Sequence, residues 1–493
     1  MKNSRLIKVL RTFNKKEFKQ FGKFVSSPFF STGRNVVPLF DALKKFYPVF
    51  DGDGFSRENM LNELSRCGYK VSYPQLKMQM TELYKMSEQF LTFQSGKSEP
   101  GLNAYFFARS CRKRGLHRLG ESKISASIKK IEKNGIDGSF YLNYYFGKVE
   151  MINFFFMKDK PLKGVQTLNH LSEILLHNFL CNISRYIYNL VVLESGLNIN
   201  TGDNLLVSFI NLINYEKLLE CLERRNDVYS NASCIYILYI MMLLNPAVDV
   251  YYFKFKEKLF KNISVFSFYE QSGFMQNINF RAEQLMKGIN YNKFANEEFE
   301  IINFRLHNNL YKQEPSADYT TNEFHSAFYI GFVLRKKAWL KNFMKKYINE
   351  IIPEQRDNSL LAAQAFIAFL DRDYIKCLKN INNLKNMLII TEFDIKRLQL
   401  MAIYEAGHIN EAYYVFDAFK AFLRKNKNVS QRYFESNNNF IKFYRIILKQ
   451  KYEEADSNLK KLRLEAQNSN AASQEWIIEK IDEMIPAFKQ KIQ

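Results

Sequence analysis

From Ala104 to the C-terminus the sequence carries one kind of pattern. Apolar residues recur every three to four positions, in segments of roughly 12 to 25 residues, with short polar breaks between them. The breaks include "KNGIDG", "KDKP", "SGLNINTGDN", "NPAVD", "KQEPSAD" and "PEQRDN". Turn formers are scarce, at 19 glycines and 10 prolines in 493 residues, and a β-rich protein of this length needs many more. The expected fold is all-α. Segments such as "FINLINYEKLLECL" and "CIYILYIMMLL" are apolar nearly all round, as helices in the middle of stacked layers are.

The first 94 residues read as about five helices. Asn14 and Glu17 form a capping box ahead of a stripe made by Phe18, Phe21, Phe24 and Val25. Pro28 closes that helix because it cannot continue the hydrogen-bond ladder. A third helix is expected near Val36 to Phe46. A helix–turn–helix lookalike then covers 56–90, with its turn at Gly68 and its second helix opening at Tyr73–Pro74. Residues 95–103 cluster Gly, Ser, Pro and charge and read as a linker. The expected divisions are an N-terminal helical domain at 1–94, the linker at 95–103, an irregular helical-repeat region at 104–334 and tetratricopeptide-like repeats at 335–493.

Stacked helix pairs show themselves by a fixed period. "DRDYIKCL" (371–378), "AGHINEAY" (406–413) and "KQKYEEAD" (449–456) share one cadence, at spacings of 35 and 43 residues. Each has a turn, then a β-branched or aromatic residue, then a small residue three positions later: Tyr374 and Cys377, Ile409 and Ala412, Tyr452 and Ala455. Antiparallel helices approach most closely beside their turn, so a small side chain is required there. Phe416 falls one turn further along. The cadence resembles the tetratricopeptide repeat, although only one copy keeps the glycine, as Gly407; Arg372 and Gln450 replace it in the others. His408 is then expected as an exposed residue of a helical joint. A right-handed α-solenoid of helix pairs is the implied architecture.

Four further stretches, "KEFKQFGKFVSSPFFS…VPLFDALKKFYPVF", "QLKMQMTELYKMSEQFL", "RKRGL" and "AFYIGFVLRKKAWLKNFMKKY", make nearly the whole chain resemble a group of bacterial helical-repeat proteins. That group has no assigned activity, so the resemblance implies packing and carries over no functional residue.

Patterns that bear chemistry are few. His170, Glu173, His177 and Cys181 fall on one helix face, with metal-chelating spacing at i,i+4. About eleven residues of helix span roughly 16 Å, too far for one ion to reach all four, and the expectation is a buried helix with satisfied polar groups. "SGKSEP" (95–100) contains Gly-Lys-Ser but lacks the upstream glycine of a P-loop, and Pro100 follows. No paired-carboxylate or nucleophile–base motif appears. No cofactor, no metal and no catalysis are expected. Six cysteines (67, 111, 181, 221, 234 and 377) are scattered and read as reduced thiols. "MKNSRLIKVLRTFNKK" has no signal-peptide core, and the longest apolar run, 234–244, is too short to span a bilayer. A cytoplasmic protein is expected.

The formal net charge is +21. With 49 Lys against 22 Arg and abundant Asn, Ile, Phe and Tyr, base composition explains much of it. Three basic clusters are the candidates for partner binding: Arg5, Lys8, Arg11, Lys15 and Lys19; Arg112, Lys113 and Arg114 within "RSCRKRGLHR"; and Arg335, Lys336 and Lys337 within "RKKAWLKNFMKK". The expected function is an interaction scaffold whose concave surface binds a protein or peptide. The alternative is a nucleic-acid-binding regulator using the N-terminal domain, with Tyr73, Gln75, Lys77 and Gln79 on the reading face. Clustered charge without a supported reading helix provides only weak, salt-sensitive, sequence-independent nucleic-acid binding.

Overall fold

The computed structural model describes residues 1–485 except 31–34, 53, 98, 198–203, 247, 287, 313, 386–388, 427–428, 430 and 453–457. Among the described residues the fold is all-α, with twenty-four α-helices and no strand. Two isolated bridges, Ile136 with Phe266 and Tyr319 with Ile351, are the extended pairings seen. The chain forms two compact units, Met1–Lys133 with Leu142–Ser172, and Asn134–Tyr141 with Glu173–Gln493.

The first unit begins with α1 (Arg5–Thr12), α2 (Lys15–Val25), α3 (Val37–Lys44), α4 (Arg57–Arg66) and α5 (Tyr73–Lys97). The expected capping box is present: Asn14 Oδ1 accepts from the Glu17 N–H at 2.9 Å, and Glu17 Oε2 accepts from the Asn14 N–H at 2.9 Å. Phe18, Phe21, Phe24 and Val25 are buried, and they meet Phe13, Phe40 and Phe90 in an aromatic core. Rings at 5–6 Å in tilted and edge-on pairs fill volume without needing polar partners. Residues 95–103 hold the end of α5 and the start of α6 (Pro100–Lys113).

The unit continues with α6, α7 (His117–Ile131) and part of α8 (Gly138–Met157). Gly101 shows why α6 can cross α8 so closely. A Cβ there would lie 1.8 Å from the Asn143 carbonyl oxygen, and the Gly101 N–H donates to Asn143 Oδ1 at 3.0 Å. Ala104, Ala108, Ile124 and Phe154 form the small core beside that crossing. Part of α9 (Pro161–Leu197) follows.

In the second unit the order is α10 (Leu205–Asn211), α11 (Tyr215–Glu223), α12 (Val228–Leu244), α13 (Asp249–Asn262), α14 (Phe268–Leu285) and α15 (Tyr291–His307). Then come α16 (Thr321–Val333), α17 (Lys337–Tyr347), α18 (Pro353–Leu370), α19 (Tyr374–Asn382), α20 (Ile389–Ala406), α21 (Ile409–Lys425), α22 (Gln431–Tyr452), α23 (Leu459–Asn468) and α24 (Gln474–Met484). The run around "CIYILYIMMLL" is buried continuously from Cys234 to Met242, as its all-round apolarity requires. "FINLINYEKLLECL" departs from expectation. It breaks into α10 and α11, because Asn214 caps a new helix by accepting from the Lys217 N–H, and Leu212 at the break is 84% exposed.

The expected turn cadence has a clear backbone form. Arg335, Arg372 and Gly407 adopt positive φ at 53°, 60° and 77°, spaced 37 and 35 residues apart. At each turn the left-handed residue's N–H bonds three residues back: to Phe332, Phe369 and Tyr404. The following N–H bonds five residues back, to Gly331, Ala368 and Ile403. This pair of hydrogen bonds is the Schellman closure of a helix C-terminus, and glycine is its favoured residue. Three residues into each following helix lie Leu340, Cys377 and Ala412, all buried. Their counterparts in the preceding helices are Gly331, Ala368 and Ile403, so size shifts from one side of the joint to the other. A Cβ on Gly331 would stand 2.9 Å from Leu340 Cδ2. The small residue is thus a property of the pair and not of one fixed position. Phe416 is buried, Tyr374 half-buried. Ile409, the first residue of α21, is 37% exposed. Ala455 and the side chain of Tyr452 lie outside the described residues.

Candidate functional site

The turns at Arg335 and Arg372 end at an open cleft enclosing about 1230 Å³. Its apolar wall comes from the last turns of α16 and α18, with Phe332, Phe369 and Leu370, and from Met401 of α20. Opposite stands α24, whose "QEWIIEKIDEM" places Glu475, Glu479 and Glu483 four residues apart, on one face. That acidic stripe was readable in the sequence by its spacing, but nothing there indicated which bases it would face.

Lys480 anchors α24. It is buried, and its Nζ lies 2.9 Å from Glu405 Oε1, 2.6 Å from Glu483 Oε1 and 3.6 Å from Glu479 Oε1. Burial pulls its pKa down, but hydrogen bonds to Glu405 and Glu483 outweigh burial and hold it above the ordinary lysine value. Trp476 Nε1 donates to the same Glu405 oxygen at 2.8 Å, and its ring meets Tyr404 edge-on at 5.4 Å. Arg335 pairs with Glu479. Lys337 pairs with Asp371, whose other oxygen lies 3.7 Å from Lys341.

Two lining charges have no ion-pair partner among the described residues: Arg372, exposed at its turn, and Glu475, half-exposed in the first turn of α24. The cleft therefore offers one unmatched cation and one unmatched anion over an aromatic and aliphatic wall. It lacks a nucleophile with an adjacent base among the described residues. Such an arrangement can recognise a chain that carries both signs of charge.

The other predicted residues are placed as follows. Arg5, Lys8, Lys15 and Lys19 are exposed and make no ion pair among the described residues. Arg11 belongs to the fold instead: its Nε and Nη2 donate at 3.0 Å to the carbonyls of Val49 and Phe50, fastening a turn in which Phe50 has φ 47°. Arg112 is taken by Glu150, with Nε 2.8 Å from Oε2. Arg114 donates to the Ser110 carbonyl at 3.1 Å, and Lys113 and Lys336 are exposed. In the helix–turn–helix lookalike, Tyr73, Gln75 and Lys77 are exposed and Gln79 is half-buried. Arg57 lies 3.9 Å over the Tyr73 ring.

The one-face set on α9 is divided among separate partners. His170 Nε2 lies 3.2 Å from the Tyr144 hydroxyl, Glu173 pairs with Arg225, and His177 Nδ1 lies 2.7 Å from Ser233 Oγ. The Cys181 thiol lies 4.0 Å from Glu270 Oε1, and burial pushes its pKa up to about 12. No group of His, Cys, Asp and Glu among the described residues could hold a metal ion. His408 is exposed at the N-terminal edge of α21, 3.3 Å from Glu411. Among the described residues no helix is long and apolar enough to cross a membrane.

One buried network gave no signal in the sequence. His325 Nε2 lies 2.8 Å from Asp394 Oδ2, Tyr433 donates to Asp394 Oδ1 at 2.8 Å, and Arg397 bonds Asp394, Asn437 Oδ1 (2.6 Å) and the Tyr329 hydroxyl (3.0 Å). These residues come from α16, α20 and α22 and are separated by up to 112 positions, so no local spacing could join them. Compared with protein-family models, with curated proteins and with solved structures, the chain matches none.

Proposed function

We propose that the chain is a cytoplasmic interaction scaffold, without catalysis, whose second unit holds a peptide segment of a partner protein in the cleft at the α16, α18 and α24 ends. The architecture proposed for it is a right-handed solenoid, tetratricopeptide-like toward the C-terminus. Supporting that architecture, each helix of a pair packs on its mate (α16 on α17, α18 on α19, α20 on α21), the second helix packs on the next pair, and first helices pack on one another (α16 on α18, α18 on α20). Repeats of this kind bury their core between neighbours and leave extended binding surfaces.

The observation that carries the reading is Arg372. A left-handed backbone costs a non-glycine residue roughly 1–2 kcal/mol, and the same turn one repeat later uses Gly407. Arg372 accepts that conformation while its guanidinium lines the cleft without an ion-pair partner among the described residues. Strain of this kind clusters at binding sites but also occurs elsewhere in the chain; what sets Arg372 apart from Arg335 in the matching turn is that Arg335 is paired with Glu479 and Arg372 has no ion-pair partner among the described residues. Displayed random peptides selected on the full chain test the proposal. Selected peptides should carry an acidic and a basic residue, and the Arg372→Glu and Glu475→Lys variants should each lose them by about tenfold, a difference near 1.4 kcal/mol. Peptides that bind both variants as well as the natural chain would overturn it.

A second reading has one specific observation behind it. Arg5, Lys8, Lys15 and Lys19 remain exposed without ion pairs among the described residues, which suits sequence-independent contact with a nucleic-acid backbone.

A further inference from the structure

A groove in the first unit carries different chemistry. It lies among α7, α8 and the opening turns of α9, and it encloses about 1180 Å³ open to solvent. Its floor is apolar, with Ile128, Met151 and Phe155. Around that floor stand three ammonium groups, Lys129, Lys148 and Lys163, one from each helix, against the single carboxylate of Glu132.

Lys148 is the unusual member. It is half-buried, its Nζ lies 4.4 Å from the centre of the Tyr144 ring, and it donates a hydrogen bond to the Tyr144 hydroxyl. That hydroxyl is also 3.2 Å from His170 Nε2. Burial lowers the lysine's pKa, and Glu132 opposes that shift. Nearby charges find direct counter-ions: Glu150 takes Arg112, and Lys158 takes Glu121 at 2.5 Å. Lys148 has no carboxylate at ion-pair distance among the described residues. A partly desolvated ammonium held by a hydroxyl and a ring, with no carboxylate in ion-pair contact among the described residues, is costly. An anion in the groove would offset that cost, and Lys129 and Lys163, both exposed on the rim, add to the same field.

We infer that this groove binds a small organic anion, a carboxylate or phosphate attached to an aromatic or aliphatic body, with its charge met by Lys148 and the rim lysines and its body laid on Phe155 and Ile128. A pocket of this kind combines an apolar lining with a few polar groups that fix orientation. The inference is independent of the peptide cleft, because no residue is shared between the two sites.

Isothermal titration of the full chain tests it with three probes: phenyl phosphate, inorganic phosphate and benzyl alcohol. Phenyl phosphate should bind about tenfold tighter than inorganic phosphate, and benzyl alcohol should give no heat, since charge and apolar body act together. Lys148→Met should weaken phenyl phosphate by about tenfold, and Lys148→Arg should restore most of it, since the charge returns. The paired change Lys129→Met with Lys163→Met alters only exposed side chains, so it keeps the test valid if Lys148→Met does not fold; it should weaken the probe several-fold. Equal affinity for the two phosphates would overturn the inference. So would phenyl phosphate binding that both lysine variants leave unchanged, which would place the probe on some other apolar surface.

Discussion

Two basic runs look alike in the sequence and are paired to different degrees in the structure. In residues 335–346, Arg335 is met by Glu479 and Lys337 and Lys341 by Asp371. In α1 and α2, Arg5, Lys8, Lys15 and Lys19 stay exposed with no ion pair among the described residues. Local density of lysine and arginine therefore says little about surface charge, because the neutralising acid can stand 144 residues away, as Glu479 does from Arg335. What separates the two is context. The C-terminal run sits where helix ends converge on other helices, and the N-terminal run lies on outward faces of helices whose inward faces carry the aromatic core.

Unpairing a buried charge carries the largest expected cost. Arg397→Leu removes the cation that faces Asp394 within the interior network, leaving a carboxylate with almost no access to water. Loss of one member of a buried pair costs about 3–5 kcal/mol, and urea denaturation should show it. The pH dependence follows from Asp394. Burial alone would raise its pKa, yet the Arg397 charge and the His325 hydrogen bond hold it below the ordinary 3.8. A lowered carboxylate gives stability that is complete above its unfolded value and lost as pH falls through the folded one. The natural chain should therefore lose stability below about pH 4, and an Asp394→Asn, Arg397→Leu double change should lose less of it there. An unchanged acid profile in the double variant would sink this account.

Packing at the joint gives the next largest effect. Ala412→Phe forces a ring into the first turn of α21, where Ala412 is buried, as is Ile403 near the end of the preceding helix. Overpacking of this kind costs about 1–3 kcal/mol. His408→Ala, four positions earlier and exposed, should leave the thermal midpoint unmoved. A larger loss from His408→Ala would mean that the histidine is structural.

These joints also show how much of the fold sequence reasoning could reach. The α2 capping box, the Phe18 stripe and the cadence around Ala412 were legible because each depends on residues a few positions apart. The third joint, at Arg335, escaped the cadence because Leu340 stands where a small residue was expected, and the missing volume is taken from Gly331 on the other helix. The cleft was half legible: Arg335 and Lys337 stood out as charge, but their meaning depended on Glu479 and Asp371. The His325–Asp394–Arg397 network was not legible at all, being assembled from three helices far apart in the chain.

Exchanging the residues at the two matching turns separates backbone strain from binding. Arg372→Gly relieves the left-handed strain at φ 60° and should change stability by no more than about 1 kcal/mol, in the stabilising direction if strain relief exceeds the added unfolded-state entropy. Gly407→Arg should cost about 1–2 kcal/mol for the reverse reason. The space around Gly407 is open, so no clash confuses the result. If Arg372→Gly instead destabilised the chain as much as Gly407→Arg, the arginine would be held for the fold and the binding argument would lose its support.

The smallest effect on stability, and the most direct test of the N-terminal surface, comes from replacing Arg5, Lys8, Lys15 and Lys19 together by Ala. No paired group is left behind, so melting should be indistinguishable from the natural chain. Binding to nucleic acid should change in a specific way. Each phosphate that the protein ceases to neutralise reduces the salt slope of log affinity by about 0.9 for duplex DNA, so four such phosphates would flatten it by about 3.6. Fluorescence anisotropy with the full chain, on several duplexes and across salt concentrations, measures both affinity and slope. Uniform, salt-sensitive binding that the fourfold variant weakens, with the flatter salt slope, is the expected result, and it makes the N-terminal face a site for backbone contact without sequence reading. One duplex held about a thousandfold tighter than the others would exceed what backbone charge supplies. It would point to Tyr73, Gln75 and Lys77 on α5 as base-reading residues. Affinity that the fourfold variant leaves untouched would return the whole surplus charge to composition, and the two basic runs would then differ in their pairing but not in their use.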